Sequence, residues 1–237
     1  MKRKITVLAI ACVSVFALAG AAAASAGAAT FEPTDGLGFP VPFTSTSGAG
    51  KLVSSAATIQ CTSDTNLGSI TNGTEDKVRV RFKGCTGPFG ASCKGGGGGS
   101  GEIVTSALRS FLVNLAGGKF GILLLPEGAN PKGEYPNGEF VSVECLGITV
   151  KVTGGIIGQI TSPAKETPSS SFVLNFAESG GAQEFKKVEG ETTEYFLRAN
   201  GGEAKEITGD TVKLCKSTTE TKAGEGTCTG ERKGQFK

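Results

Sequence analysis

Ile148-Thr149-Val150-Lys151-Val152-Thr153-Gly154-Gly155-Ile156 is the stretch that decides the fold. Ile148, Val150, Val152, Ile156 and, further on, Ile160 share one parity, and Thr149, Lys151, Thr153, Gln159 and Thr161 take the other. A period of two is the signature of a strand with one buried and one solvated face. The Gly154-Gly155 pair inside the run marks a bulge or bend, which lets one strand serve two sheets or turn a barrel corner. Working outward, Val78, Val80 and Phe82 alternate with Lys77, Arg79, Arg81 and Lys83, and Phe172, Leu174 and Phe176 repeat the pattern. Between residues 103 and 125, Ala107, Leu108, Phe111, Leu112 and Leu115 also fit a helix over 104–115. Ala116-Gly117-Gly118-Lys119 is a Gly-Gly hairpin turn, however, and selects two strands. Some ten to twelve short strands are expected, in a single all-β, antiparallel sandwich or barrel-like domain with Gly-rich loops.

Around this domain the chain divides into residues 1–28, 29–200 and 201–237. Lys2, Arg3 and Lys4, an apolar run from 5 to 20 and a small-residue tract from 21 to 29 have the order of a secretory signal peptide, with cleavage expected after Ala26 or Ala28. An uncleaved anchor is disfavoured by the Ala and Gly content of the apolar run, and lipoprotein processing at Cys12 by the lack of a leucine three residues earlier. Residues 31–43 form a proline-punctuated arm whose phenylalanines are placed over the core edge. Residues 95–101 read as a glycine-rich loop tip. The 201–237 segment is rich in Lys, Glu, Thr and Gly, with apolar residues only at Ile207, Val212, Leu214 and Phe236, and reads as polar and partly flexible.

Of seven cysteines, six lie beyond the signal region: Cys61, Cys85, Cys93, Cys145, Cys215 and Cys228. An even number in an exported chain reads as three disulfides. The preferred pairing joins the neighbours Cys85–Cys93 and Cys215–Cys228 and leaves Cys61–Cys145 as a long bridge.

At this point Phe39-Pro40-Val41-Pro42-Phe43, the Ile59-Gln60-Cys61-Thr62-Ser63-Asp64-Thr65 segment, the Val80-x-Phe82-x-Gly84-Cys85 strand end and the 155–161 stretch resemble a group of uncharacterised secreted β-rich proteins of high-GC Gram-positive bacteria, over residues 39–176. The resemblance implies export and a β-rich fold, and brings no activity with it.

The chain has no histidine and no tryptophan. That removes the Ser-His-Asp triad, the Cys-His pair and histidine-ligated metals, and without Cys-x-x-Cys no zinc or thiol redox centre is expected. No cofactor or metal is implied. Removing the signal takes three basic residues, so 21 Lys+Arg face 22 Asp+Glu and the formal charge of +2 becomes −1. Nucleic acid is not an expected partner, and neither is the membrane once the signal is cleaved. Ser162-Pro163-Ala164-Lys165, Gly48-Ala49-Gly50-Lys51 and Asn72-Gly73-Thr74 have the outlines of a Ser-x-x-Lys centre, a phosphate loop and a glycosylation sequon. All three read as turns, because the companion motifs are missing.

Two chemistries stay open. Lys77, Arg79, Arg81 and Lys83 would stand in one row about 6.6 Å apart on a strand, a ridge suited to a cell-envelope anionic polymer or polysaccharide. The competing reading makes them a solvent face paired to glutamates such as Glu189 or Glu191. A carbohydrate-active hydrolase or lyase would instead need two acids in a cleft, drawn from Glu139, Glu144, Glu184, Glu189, Glu191 and Glu194. The first reading, a non-enzymatic extracellular binding module, is preferred. A purely structural surface protein would have to attach non-covalently, since the chain has no LPxTG-like sorting signal.

Overall fold

A computed structural model describes residues 29–55, 57–127 and 138–237; the signal-peptide expectation at 1–28 lies outside them. Twenty strands are described: β1 Phe31–Pro33, β2 Val41–Ser47, β3 Gly50–Ser54, β4 Thr58–Cys61, β5 Ser63–Ile70, β6 Glu75–Lys83, β7 Cys93–Gly95, β8 Glu102–Val104, β9 Leu108–Leu115, β10 Lys119–Pro126, β11 Glu139–Cys145, β12 Ile148–Gly154, β13 Ile156–Ser162, β14 Ser171–Phe176, β15 Glu178–Ser179, β16 Ala182–Gln183, β17 Leu197–Ala199, β18 Gly202–Lys222, β19 Glu225–Glu231 and β20 Gly234–Phe236. The all-β class expected from the period-two segments is what the chain adopts; one short 3-10 turn, Pro88–Gly90, is the sole helical element among the described residues.

Eight strands close on themselves. The order β18-β14-β13-β10-β9-β6-β5-β2 returns to β18, with every neighbouring pair antiparallel. Closure removes the free edges that an open sheet would expose. β6 and β18 are longer than this ring and carry on beyond it. The end of β6 pairs with β8 and the start of β18 with β17 and β3, and an arc of β17, β12, β11, β7 and β8 links the two. Its only parallel contact is β7–β8. The glycine bend read from the sequence lies between β12 and β13. β12 belongs to the arc and β13 to the ring, and Gly154 has φ 101°, with a Cβ there falling 2.3 Å from the Phe196 carbonyl oxygen.

β10 shows why a fully apolar run can still be a barrel strand. Ile122 and Leu124 face inward, while Leu123 and Leu125 join Phe111, Leu115, Ile157 and Tyr195 in a second cluster on the outside. The chain around Phe185, Val188 and Tyr195 covers that outer face, so both parities are buried. The opposite end of the interior is closed by phenylalanines: Phe236 of β20 meets Phe31 at 5.5 Å and Phe172 at 5.3 Å, both edge-on, a geometry that adds about 0.5–1.5 kcal/mol per pair beyond area burial. Arg232, 4% exposed, holds the N-terminal arm to this end: it donates to both carboxylate oxygens of Asp35 (2.7 and 2.8 Å) and to the carbonyls of Gly38 and Pro40. Of the arm's phenylalanines, Phe31 and Phe43 are in the core and Phe39 is 39% exposed.

Two expectations need correction. The bridges are Cys61–Cys85, Cys93–Cys145 and Cys215–Cys228, so only the last of the three preferred pairs is correct. The loop 86–92 does bring Cys85 and Cys93 together, Cys93 N–H donating to the Cys85 carbonyl at 2.9 Å. Their sulfurs turn away from each other because sheet register decides the pairing. Cys93 and Cys145 are register partners of β7 and β11, and the Gln60–Thr86 bridge sets Cys61 beside Cys85. The two bridges span 24 and 52 residues, worth about 3.5 and 4 kcal/mol by loop entropy. Three disulfides place the folded chain in an oxidising compartment. Among the described residues no helix is long and apolar enough to cross a membrane.

The second correction concerns 201–237. It is no polar appendage: β18 is the longest strand and pairs with β2, β3, β14, β17 and β19. Its inward positions Ala204, Thr208, Asp210, Val212 and Leu214 are all buried. A chain ending at Gly201 therefore lacks the strand that closes the ring. It should show neither a cooperative melt nor dispersed amide resonances, and a truncated chain that unfolds cooperatively would contradict this topology.

Candidate functional site

The expected cation row divides in the structure. The even residues of β6 point inward and the odd ones outward, as the alternation requires, but the outer face is not open water. The β18–β19 hairpin folds back across it and lays Ala223-Gly224 against the strand. Arg81 Nε donates to the Ala223 carbonyl at 2.9 Å, and Thr65 Oγ1 donates to the Gly224 carbonyl at 3.3 Å. Gly224 is needed there: its φ is 74°, and a Cβ would lie 3.1 Å from the Arg79 carbonyl oxygen and the Arg81 nitrogen. Arg81, expected on the solvent face, is 6% exposed and paired with Glu102 at 2.9 Å. Lys83 pairs with Glu225 at 2.8 Å and Lys77 with Glu127 at 3.3 Å. Arg79 makes no ion pair among those described. The cations thus meet glutamates, as the competing reading has it, but different ones: Glu189 and Glu191 are not partners in these pairs.

The acids considered for a cleft are dispersed. Glu139 pairs with Lys151, Glu144 with Lys94 and Glu194 with Lys187, and Glu191 accepts a hydrogen bond from the Tyr195 hydroxyl at 2.9 Å. None of these glutamates lines the interior of the barrel.

A different set of acids does. Inside the ring lies a cavity of about 130 Å³, walled by apolar side chains such as Phe43, Val80, Ile122, Leu124 and Val212, with Asp64, Asp76, Glu206 and Asp210 also on its lining. The strand registers bring three of these acids together. Asp64 and Asn66 sit two apart on β5, Ser45 and Ser47 face them from β2, and Asp210 is the β18 partner of Ser47. Asn66 Nδ2 donates to Asp210 Oδ1 at 2.9 Å and to Ser45 Oγ at 2.5 Å, and Ser47 Oγ donates to Asp64 Oδ2. Glu206 follows on the same face of β18. Asp76 stands apart on β6, opposite Ser110 of β9.

No basic side chain neutralises this group. Lys51 contributes to the cavity wall, but it is exposed and makes no ion pair with these acids among those described. Burial therefore favours the protonated forms. It pushes Glu206 up to about 8, with the nearby Asp64 charge adding to the shift, and Asp76 up to about 6. Burial also raises Asp210 well above the ordinary aspartate range, helped by Asp64 and Glu206, and it raises Asp64 against the hydrogen bonds from Ser47, Asp210 and Asn66. The Asp64 charge disfavours a second charge beside it, so Asp210 is the member of the pair that keeps its proton. Three buried oxygens of the cluster still have no partner: Asp64 Oδ1, Asn66 Oδ1 and Thr208 Oγ1. Buried polar atoms are seldom left so, and each unmade bond costs about 1–3 kcal/mol.

The sequence held a trace of this site. Asp76 shares the buried parity of Val78, Val80 and Phe82, and Asp210 that of Val212 and Leu214. An acid on the apolar face of a strand is the signal, and it went unread because every named acid was sought on the surface. No protein-family model, curated protein or solved structure matches this chain.

Two outcomes follow. The folded state keeps a proton on Glu206 that the unfolded chain releases above its ordinary 4.5, so stability is full below that value and falls as pH rises toward about 8; Asp76 acts in the same direction between 3.8 and about 6. The melting temperature should drop by several degrees from pH 5 to pH 8, and Glu206→Gln should flatten the slope; an unchanged slope would remove Glu206 as its source. On the outer face, Arg81→Ala should cost about 2–3 kcal/mol in urea unfolding, below the full buried-pair figure because Glu102 keeps contact with water, and Lys77→Ala less than about 0.5. Equal effects would contradict the covering of Arg81 by the hairpin.

Proposed function

We propose that the chain is an exported, non-enzymatic binding protein, and that the interior of its barrel takes a small apolar molecule. The cavity carries this reading. Protein interiors are close-packed and hold few voids larger than a water molecule, yet this ring keeps about 130 Å³ open behind mostly apolar walls. An engineered apolar cavity of about 150 Å³ is large enough to bind benzene, so the space suits a ligand of about six to eight non-hydrogen atoms. Small closed barrels have room inside for one ligand of this kind. The basic, apolar and small-residue order of residues 1–28 supports export through a signal peptide, and the disulfides support an extracellular destination. A second reading keeps the anionic envelope polymer as partner on the outer face, where Arg79 has no ion pair among those described and the Lys77 side chain is 62% exposed.

Toluene tests the cavity. Saturating toluene should raise the melting temperature by a degree or more, since a ligand of the native state alone stabilises by mass action, and it should shift the methyl resonances of Ile122 and Leu124. Val80→Phe, which places a ring in the space, should abolish both effects. No shift in the wild-type protein, or the same shift in the variant, would overturn the reading.

A further inference from the structure

The cavity has an apolar wall and an acidic one, and on the acidic wall buried oxygens of Asp64 and Asn66 have no hydrogen-bond partner. Among its groups Ser45, Ser47 and Asn66 donate, but their hydrogens are already used on Asp64, Asp210 and one another. Asp64, Thr208 and Asn66 are 2%, 6% and 8% exposed, and each retains a buried oxygen without a partner. Asp64 and Asn66 are on the cavity lining, and Thr208, which is not on it, lies on β18 between the lining residues Glu206 and Asp210. The unpartnered Asp64 and Asn66 oxygens are acceptors, and the group that answers them is one rich in donors. An ammonium has three N–H donors and no acceptor, and its charge would answer that of the carboxylates, whereas a neutral ligand leaves both deficits in place. A bare metal ion suits the wall less well: among the described residues no three acids converge as metal ligands, and a metal leaves the apolar half of the space empty.

We infer that the ligand of the cavity is a small apolar cation, a primary amine whose hydrocarbon body packs against Val80, Ile122 and Leu124 and whose ammonium lies among Asp64, Asn66 and Glu206. The inference rests on the cavity function proposed above and specifies its ligand class. It accounts for Asp64, Glu206 and Asp210 sharing one wall of the cavity with no ion pair to a cation among those described, an arrangement that costs stability in the empty protein. The amine supplies the missing positive charge and three N–H donors, and an acid that ionises to pair with it releases its proton to the solvent.

The test compares two probes of equal size, benzylammonium and ethylbenzene, by titration calorimetry on the oxidised protein, with the wild-type chain, Glu206→Gln and Asp210→Asn. Benzylammonium should bind at least tenfold more tightly than ethylbenzene, the lower end of what one charge-assisted hydrogen bond contributes. Each variant should weaken benzylammonium about tenfold or more and leave ethylbenzene within about twofold, with cooperative melts confirming that the variants fold. Equal binding of the two probes, or loss of both in the variants at an intact melt, would overturn the cation assignment and leave the apolar cavity standing. Failure of both probes and of toluene to bind the wild-type protein would overturn the cavity reading and this inference with it.

Discussion

The hydrogen bonding of one strand, β18, to both β14 and β2 is the interaction on which the rest of this structure depends. Without it the seven other ring strands form an open sheet with two free edges, and the phenylalanine end has no wall to close against. With it, the ring encloses a volume. The same strand continues into the arc through β17 and β3 and then turns into the hairpin that covers the outside of β6. Closure, the upper arc and the outer cover are thus consequences of a single continuous strand. The Cys215–Cys228 bridge fixes the base of that hairpin, and Arg232 ties the chain beyond it to the N-terminal arm.

The strand that closes the barrel also brings its least comfortable residues inside. Glu206, Thr208 and Asp210 occupy inward positions that would stabilise the ring more as valine or leucine. Taking a carboxylate out of water costs several kcal/mol unless it is paired, and a group so placed stays neutral instead. The fold tolerates this because other contacts offset it: the second apolar cluster outside β9 and β10, the edge-on phenylalanines and three disulfides, of which Cys93–Cys145 joins β7 to β11 in the arc. Local departures from good packing and polar satisfaction tend to mark functional sites, and here they coincide with the acidic wall of the cavity and with Asp76 and Ser110 elsewhere on its lining.

The legible part of the fold was the part built from apolar alternation. Residues 78–82, 148–160 and 172–176 became strands, with the faces read from their parity except at Ile148, which is 65% exposed at the start of β12, and the Gly154-Gly155 and Gly117-Gly118 pairs became the bend and the turn. β18 was illegible for the reason that makes it interesting. Its inward positions include glutamate, threonine and aspartate, so the period-two signal vanishes and 21 residues of strand read as a polar tail. The cysteine pairing failed differently: proximity along the chain favours Cys85–Cys93, whereas register between distant strands decides which sulfurs meet. The cation row was read in its correct parity, but its cover comes from a hairpin more than a hundred residues away, which no local pattern shows. What the sequence could have offered for the site is narrower: Asp76 in phase with Val78, and Asp210 in phase with Val212.

The central claim is that the barrel holds Glu206 and Asp210 protonated at neutral pH while it is empty. Infrared difference spectroscopy on protein carrying carbon-13 at the aspartate and glutamate carboxyls reads this directly, because a protonated carboxyl has a carbonyl band that a carboxylate lacks. The account predicts such bands at pH 7 in the ligand-free protein, diminished in Glu206→Gln and in Asp210→Asn. A spectrum in which every carboxyl of the folded protein is ionised at pH 7 would contradict it.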